Sequence, residues 1–200
     1  MLLARRMRVA SAPRLVGGSL ACRPLSGARM SVSDLCDKHL RGRPDGDWSR
    51  ADIQVLDSNV FQNYGARTSF SGPAVTIQCF ENNPLLKSTL QEPGGGRVLV
   101  VDGGGSLRCA LVGDNLASFG IENGWSGVVV YGCVRDAADL LAMEFGVKAL
   151  GTCPVKGIAA DPGVRDVPVS FAGVTIMPGN FIYSDLDGII VSNTDLMLGE

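Results

Sequence analysis

Between Arg97 and Asp136 the chain reads as β-branched strand, glycine turn, helix and β-branched strand, and few folds accommodate that order. Arg97-Val98-Leu99-Val100-Val101 passes directly into Asp102-Gly103-Gly104-Gly105. Glycine there lets the backbone take positive φ and come close to a ligand. Leu107, Ala110, Leu111, Leu116 and Phe119 fall near a helical spacing, which predicts a helix ending at the C-cap pair Asn123-Gly124. Gly127-Val128-Val129-Val130-Tyr131 predicts a second buried strand that delivers Gly132-Cys133-Val134-Arg135-Asp136 at its carboxyl end. Strands in this arrangement are parallel neighbours joined by a right-handed crossover, and their ligands collect beyond the carboxyl ends. Asp102, Asp114, Arg135 and Asp136 can all reach that edge. Ala137 to Phe145 then predicts a short helix and Val147 to Leu150 a third strand, so a βαβαβ unit occupies residues 97–150.

The flanks are less regular. Ser33-Asp34 is placed to cap a short helix through Leu35, Cys36 and Leu40, and residues 42–47 form a turn-rich connection. Ile53 to Leu56 reads as a strand and Phe70 to Phe80 as a longer, bent one. Asn83 is placed to cap a helix over Pro84–Leu90 that starts with proline at its first position. Val167–Phe171, Val174–Met177 and Ile189–Val191 are short strands separated by turn residues, which predicts hairpins or a small barrel-like sheet.

The formal charge of −2 conceals an asymmetry: residues 1–29 hold six arginines and no acid, which leaves the remainder at −8. Such a body is no nucleic-acid binder, because phosphate affinity comes chiefly from Lys and Arg. The leader over 1–29 has the composition of a mitochondrial transit peptide, with plastid import or a cytoplasmic location as alternatives. The single domain is expected over 30–200. No run of 18 apolar residues is present to span a membrane. Six cysteines without Cys-x-x-Cys spacing suggest neither a zinc knuckle nor a redox pair, and Cys109 and Cys133 read as buried, inert thiols. His39 is the only histidine, so histidine-based zinc sites and Ser-His-Asp triads lack parts.

Arg135-Asp136 directly follows a strand, which fixes both side chains at one edge. A carboxylate there can hold a hard cation such as Mg²⁺ or Mn²⁺, with waters completing its shell. The guanidinium beside it matches carboxylate and enolate oxygens. An Arg-Asp dipeptide in isolation is more often a surface ion pair. Arg165-Asp166 lacks the strand and glycine context and reads as structural, and Asp185-Leu186-Asp187-Gly188 reads as a turn.

Gly113-Asp114-Asn115-Leu116-Ala117 and Val134-Arg135-Asp136, with twenty residues between Asp114 and Arg135, resemble the D-x20-R-D signature of one family. It is the family of 4-hydroxy-4-methyl-2-oxoglutarate aldolases and regulator of ribonuclease E activity A proteins. Asp102–Gly105, Tyr131-Gly132, Gly146–Gly151 and Asp185–Val191 resemble it too, so the likeness covers roughly residues 30–198. The resemblance implies an α/β fold, a three-layer β/β/α sandwich of the swivelling-domain kind. It also implies homotrimers, sometimes paired into hexamers, with the site at a subunit boundary. The activity it implies is metal-assisted cleavage of a 2-oxo acid to pyruvate, with oxaloacetate decarboxylation as a side reaction. In that reading Gly113, Asp114, Asn115 and Leu116 bind pyruvate through main-chain N–H groups. Arg135 stabilises the enolate, Asp114 acts as general base and Asp136 holds the cation. Full aldolases of the family carry a C-terminal extension that completes a neighbour's metal site. A chain ending at Glu200 resembles the short, ribonuclease-regulator branch, whose implied role is to inhibit an endoribonuclease or a helicase-containing RNA-decay complex. A methyltransferase reading finds no methyl-donor motif in the glycine turn.

Overall fold

The computed structural model describes residues 31–40, 53–57, 59–157 and 162–197. The arginine-rich leader, the turn over 42–47 and Glu200 lie outside the described residues. In chain order the elements are α1 (Val32–Leu40), β1 (Ile53–Val55), β2 (Gln62–Asn63), β3 (Phe70–Gln78), α2 (Pro84–Leu90) and β4 (Val98–Asp102). Then come β5 (Ala110–Val112), α3 (Asp114–Glu122), β6 (Gly127–Val134), α4 (Ala137–Leu140) and β7 (Gly146–Thr152). The chain closes with β8 (Val164–Arg165), β9 (Val169–Phe171), β10 (Val174–Ile176), β11 (Phe181–Ser184) and β12 (Ile189–Ser192).

Four parallel strands, ordered β3-β4-β6-β7, carry the site. Their Val- and Leu-rich composition follows from burial on both faces. Val75, Ile77, Leu99, Val101, Val128 and Val130 point to one side, where they pack with Leu86, Leu90, Ala117, Leu140 and Phe145 from the helical layer. The alternate residues Ala74, Val98, Val100 and Val129 point to the other side, against Val169, Phe171, Ile176, Ile182 and Val191. That second layer comprises the β9–β10 hairpin and the antiparallel strands β11, β12 and β1. A smaller cluster seats Leu35 and Leu40 of α1 on Tyr183 and Ile190. The three layers are β/β/α, as the resemblance implied.

Strand β3 belongs to both sheets. Phe70–Pro73 pair antiparallel with β11, and Ala74–Gln78 pair parallel with β4. The bend falls at Gly72, whose φ is +155° and where a Cβ would lie 2.0 Å from the Gly96 carbonyl oxygen. Only glycine fits both demands. The Phe70 ring fills the space over Gly127 and Gly146 at the start of β6 and β7, which has no room for a Cβ at either glycine.

Several local expectations are corrected. The helix predicted from Leu107 begins only at Asp114, because Ala110–Val112 form the short strand β5 beside the end of β6. It does end at Asn123-Gly124, with Gly124 at φ +73°. The helix predicted over 137–145 is shortened to α4. Ser31, two residues ahead of the predicted Ser33-Asp34 cap, caps α1: its Oγ accepts from Asp34 N at 3.0 Å while Asp34 Oδ2 accepts from Ser31 N at 3.1 Å. Asn83 flanks α2 but donates its side-chain amide to Leu111 O at 3.1 Å rather than capping. Strand β11 lies between predicted strands, in a stretch to which the sequence reading assigns no element.

Candidate active site

Gly113, at the N-cap of α3, sits against Arg135 and Asp136 at the end of β6. Strand β5 brings them together: Arg135 N donates to Val112 O at 3.0 Å, locking the two segments side by side. A Cβ on Gly113 would lie 2.5 Å from Asp136 Oδ2 and 3.1 Å from Arg135 Cγ. The glycine therefore makes room for the side chains of the Arg-Asp pair. Its own backbone is extended (φ −142°, ψ −172°), so close approach and not backbone freedom demands it.

Asp136 adopts the left-handed conformation (φ 54°, ψ 42°), one that Asp and Asn tolerate better than most residues. The kink turns the chain from β6 into α4. Arg135 Nε lies 3.2 Å from Asp136 Oδ2, with side-chain exposures of 35% and 32%. That oxygen is itself shielded from solvent and accepts no hydrogen bond, because the neighbouring N–H is not aimed at it. A shielded carboxylate oxygen without a donor is costly to keep. It suits a hard cation, which needs a lone pair and no proton. Among the described residues no group of three or more His, Cys, Asp or Glu surrounds a common point. Any cation at Asp136 would therefore keep most of its water, as Mg²⁺ does.

A cavity of about 240 Å³ opens beside this pair and touches Gly113, Asp114, Asn115, Leu116 and Arg135. All five substrate-binding residues expected from the sequence thus line one space, and Asp136 lies behind it, against Gly113 and Arg135. The first N–H groups of α3 have no intrahelical acceptor and carry the positive end of the helix dipole. Asp114 Oδ1 accepts from its neighbour's N and Nδ2 at 2.6 and 2.8 Å, so its other oxygen is the one offered to solvent. Ala110 and Val112 of β5 also line it, and Asn83, Lys87, Phe119 and Lys156, which were not foreseen, complete the lining. Lys87 arrives on α2 and Asn83 just ahead of it. Lys156 arrives because Ala110 exchanges backbone bonds with its neighbours Val155 and Gly157, at 2.8 and 3.3 Å. No periodicity links those positions to the signature.

The remaining candidates are structural. Asp185 Oδ1 accepts from Asp187 N and Gly188 N, and its Oδ2 from Val32 N, so the Asp-x-Asp-Gly turn anchors α1. Arg165 is paired with Glu92 at 2.8 Å. His39 is exposed in the last turn of α1. Burial pushes the Cys109 and Cys133 thiols up, which keeps them unreactive. Around the glycine turn, Cβ positions at Gly103 and Gly105 run into Leu111 and Tyr131. The turn thus packs on its own neighbours.

A family model described as RraA-like, Aldolase/RraA, matches residues 32–191. A protein of Alkalilimnicola ehrlichii named "Putative 4-hydroxy-4-methyl-2-oxoglutarate aldolase" is 49% identical over 170 residues, covering 84% of this chain and 99% of that protein. A Deinococcus radiodurans protein of the same name is 53% identical over 149 residues, covering 74% and 93%. Among solved structures, one titled as the RNA-processing inhibitor RraA from Thermus thermophilis superposes with a TM-score of 0.73 at 39% identity, covering 82% of this chain and 93% of that one. Another, from Geobacillus kaustophilus, is titled S-adenosylmethionine: 2-dimethylmenaquinone methyltransferase and gives 0.76 at 44%, covering 86% and 99%. The curated relatives are bacterial proteins. Bacteria have no mitochondria, so this similarity overturns the mitochondrial placement read from the leader's composition.

Proposed function

The chain belongs to the RraA-like, Aldolase/RraA family, and from that premise we propose that it is a divalent-metal-dependent lyase. It releases pyruvate from 4-hydroxy-4-methyl-2-oxoglutarate, with oxaloacetate decarboxylation as a second activity. The relatives' names support an aldolase. The observation that carries the reading is the shielded, unbonded Oδ2 of Asp136 beside Arg135, next to a cavity roofed by the N-terminus of α3.

The residues divide the work as follows. The N–H group of Leu116 and the Arg135 guanidinium hold the carboxylate of the 2-oxo acid, and the Asn115 N–H joins them by exchanging its present bond to Asp114 Oδ1 for the ligand. Asp136 Oδ2 would hold Mg²⁺ or Mn²⁺, which supplies Lewis-acid polarisation of the keto group. Asp114, through a water on its unengaged oxygen, takes the proton of the 4-hydroxyl group. The carbon–carbon bond then breaks, its electron pair enters the forming enolate, and Arg135 stabilises the charge on that oxygen. The former hydroxyl carbon leaves as the keto group of the second product, and protonation of the enolate carbon yields pyruvate. In oxaloacetate the departing group is CO₂ and no base is needed, so Asp114 is dispensable for that substrate.

The test is pyruvate release from both substrates with Mg²⁺, Mn²⁺ or chelator, for the wild type, Arg135→Ala and Asp136→Ala. Metal-dependent turnover lost in both variants is expected. Turnover no faster than with free metal would refute the reading. Similarity to the solved RNA-processing inhibitor supports a second role, as a protein inhibitor of an endoribonuclease or a helicase-containing decay complex. The acidic body could then cover a partner's basic RNA-binding segment. Inhibition that survives Arg135→Ala would establish that role apart from catalysis. The family resemblance further supports a homotrimer, or a hexamer of paired trimers, which light scattering would test.

A further inference from the structure

The geometry points to a second anion subsite in the same cavity, formed by Lys87 and Lys156, which reads a carboxylate at the far end of the substrate. The inference rests on the lyase reading and deepens it by naming the residues that select dicarboxylic over monocarboxylic 2-oxo acids. The cavity is lined by three cationic side chains, Arg135, Lys87 and Lys156, against Asp114 as the only carboxylate. Arg135 and the start of α3 account for one anionic group. The excess of positive charge on the walls is matched by a ligand with two.

Neither lysine has a structural employment that would explain its place. Among the described residues neither is ion-paired, and both are exposed. Lys87 Nζ lies 5.8 Å from the centre of the Phe119 ring, another lining residue, so its stem runs along the cavity wall. Lys156 is held by the bridge between its backbone and Ala110. The two ammonium groups thus enter from separate elements, α2 and the segment after β7. The apolar lining from Val112, Leu116 and Phe119 lowers the local dielectric and strengthens their field. A lysine is a point charge on a flexible stem and suits a carboxylate whose distance varies with the substrate. The pyruvate end instead needs the planar fork of Arg135.

The test compares two unreactive acids that differ only at the far end: 2-oxoglutarate, and 2-oxopentanoate, in which a methyl group replaces the second carboxylate. Binding to the full chain is measured by calorimetry with Mn²⁺ present and again with chelator. The wild type should prefer 2-oxoglutarate by about tenfold, the size of one charge-assisted contact. Lys87→Met and Lys156→Met should each reduce that preference and the double variant should abolish it, while Lys87→Arg retains it. Affinity for 2-oxopentanoate should stay unchanged in all four, which also reports intact folding. A wild type without preference, or a double variant that keeps it, overturns the inference. Arg135→Ala separates the two levels, since it should weaken both acids alike. If it does and the lysine variants leave the ratio unmoved, the subsite fails while the lyase reading stands. If neither acid binds, or binding ignores Arg135, both fall.

Discussion

A methyl group at position 113 would sit 2.5 Å from Asp136 Oδ2, 3.1 Å from Arg135 Cγ and 3.3 Å from Arg135 Nε. The extended backbone there accepts alanine without strain, so the effect of Gly113→Ala falls on those neighbours. Real Cβ contacts stay outside 3.0 Å, which forces the carboxylate back by at least about 0.5 Å. Both side chains are one-third exposed and can move, so the loss of global stability is small, about 1 kcal/mol including a poorer N-cap. Displacement of a reacting group on this scale costs about 10- to 100-fold in rate, equivalent to about 1.4–2.7 kcal/mol of transition-state stabilisation. The control is Gly120→Ala, whose methyl would meet Phe145 Cζ at 2.6 Å in the core. That change should cost about 1–3 kcal/mol of stability and leave activity per folded molecule unaltered. Pyruvate release from oxaloacetate, coupled to lactate dehydrogenase, and urea unfolding measure the two quantities on the same samples. Gly113→Ala within twofold (about 0.4 kcal/mol,) of wild-type kcat/KM would refute the claim that this glycine spaces the Arg-Asp pair.

Asp136→Asn removes the charge yet keeps a residue suited to the left-handed backbone. Its melting temperature should equal or exceed the wild type's while Mn²⁺ binding, followed by electron paramagnetic resonance, falls at least about tenfold. Tyr183→Phe deprives the buried Leu196 N–H of its acceptor and Asp195 of a donor, both now served at 2.7 Å. Urea unfolding should show a loss of about 1–3 kcal/mol. Lys148 is buried on β7 and donates to Asp185 O at 2.5 Å, and desolvation holds its ammonium below the ordinary lysine value of 10.5. The unfolded chain therefore binds the extra proton between the lowered value and 10.5, so this group's contribution to stability rises as pH climbs through that window. The stability difference between wild type and Lys148→Met should move in the wild type's favour over the same range, and a flat difference in alkaline denaturation would refute the assignment.

The parallel core was legible because β4 and β6 are Val-rich runs with glycine or Asn-Gly punctuation and β7 opens on Gly146-Val147, and tertiary packing agrees with that local pattern. β5 was not. The three-residue strand Ala110–Val112 carries the same apolar spacing as a helix turn, and only its pairing with the end of β6 decides the matter. β11 escaped because Pro178-Gly179-Asn180 and Asp185–Gly188 bracket four residues so tightly that the whole reads as a connection. At the candidate site, Gly113 through Leu116 and Arg135-Asp136 stood out by resemblance to a family signature, and the fold brings them together because β5 and β6 are adjacent and end side by side. Lys87, Lys156 and Phe119 could not be read that way. What unites them is the three-dimensional meeting of α2, α3 and the segment after β7, and no linear pattern encodes that meeting.

The bent strand β3 has a consequence for how the molecule comes apart. Its first half is hydrogen-bonded into the antiparallel layer and its second half into the parallel one, so neither sheet can detach without breaking the other's ladder. The two layers should behave as a single cooperative unit rather than as separable foldons. In native-state hydrogen exchange, the amides of β4 and of β11 should open with the same free energy and the same denaturant sensitivity. Loosening the bend at Gly72 should lower both together, so damage done far from the candidate site would still reach it.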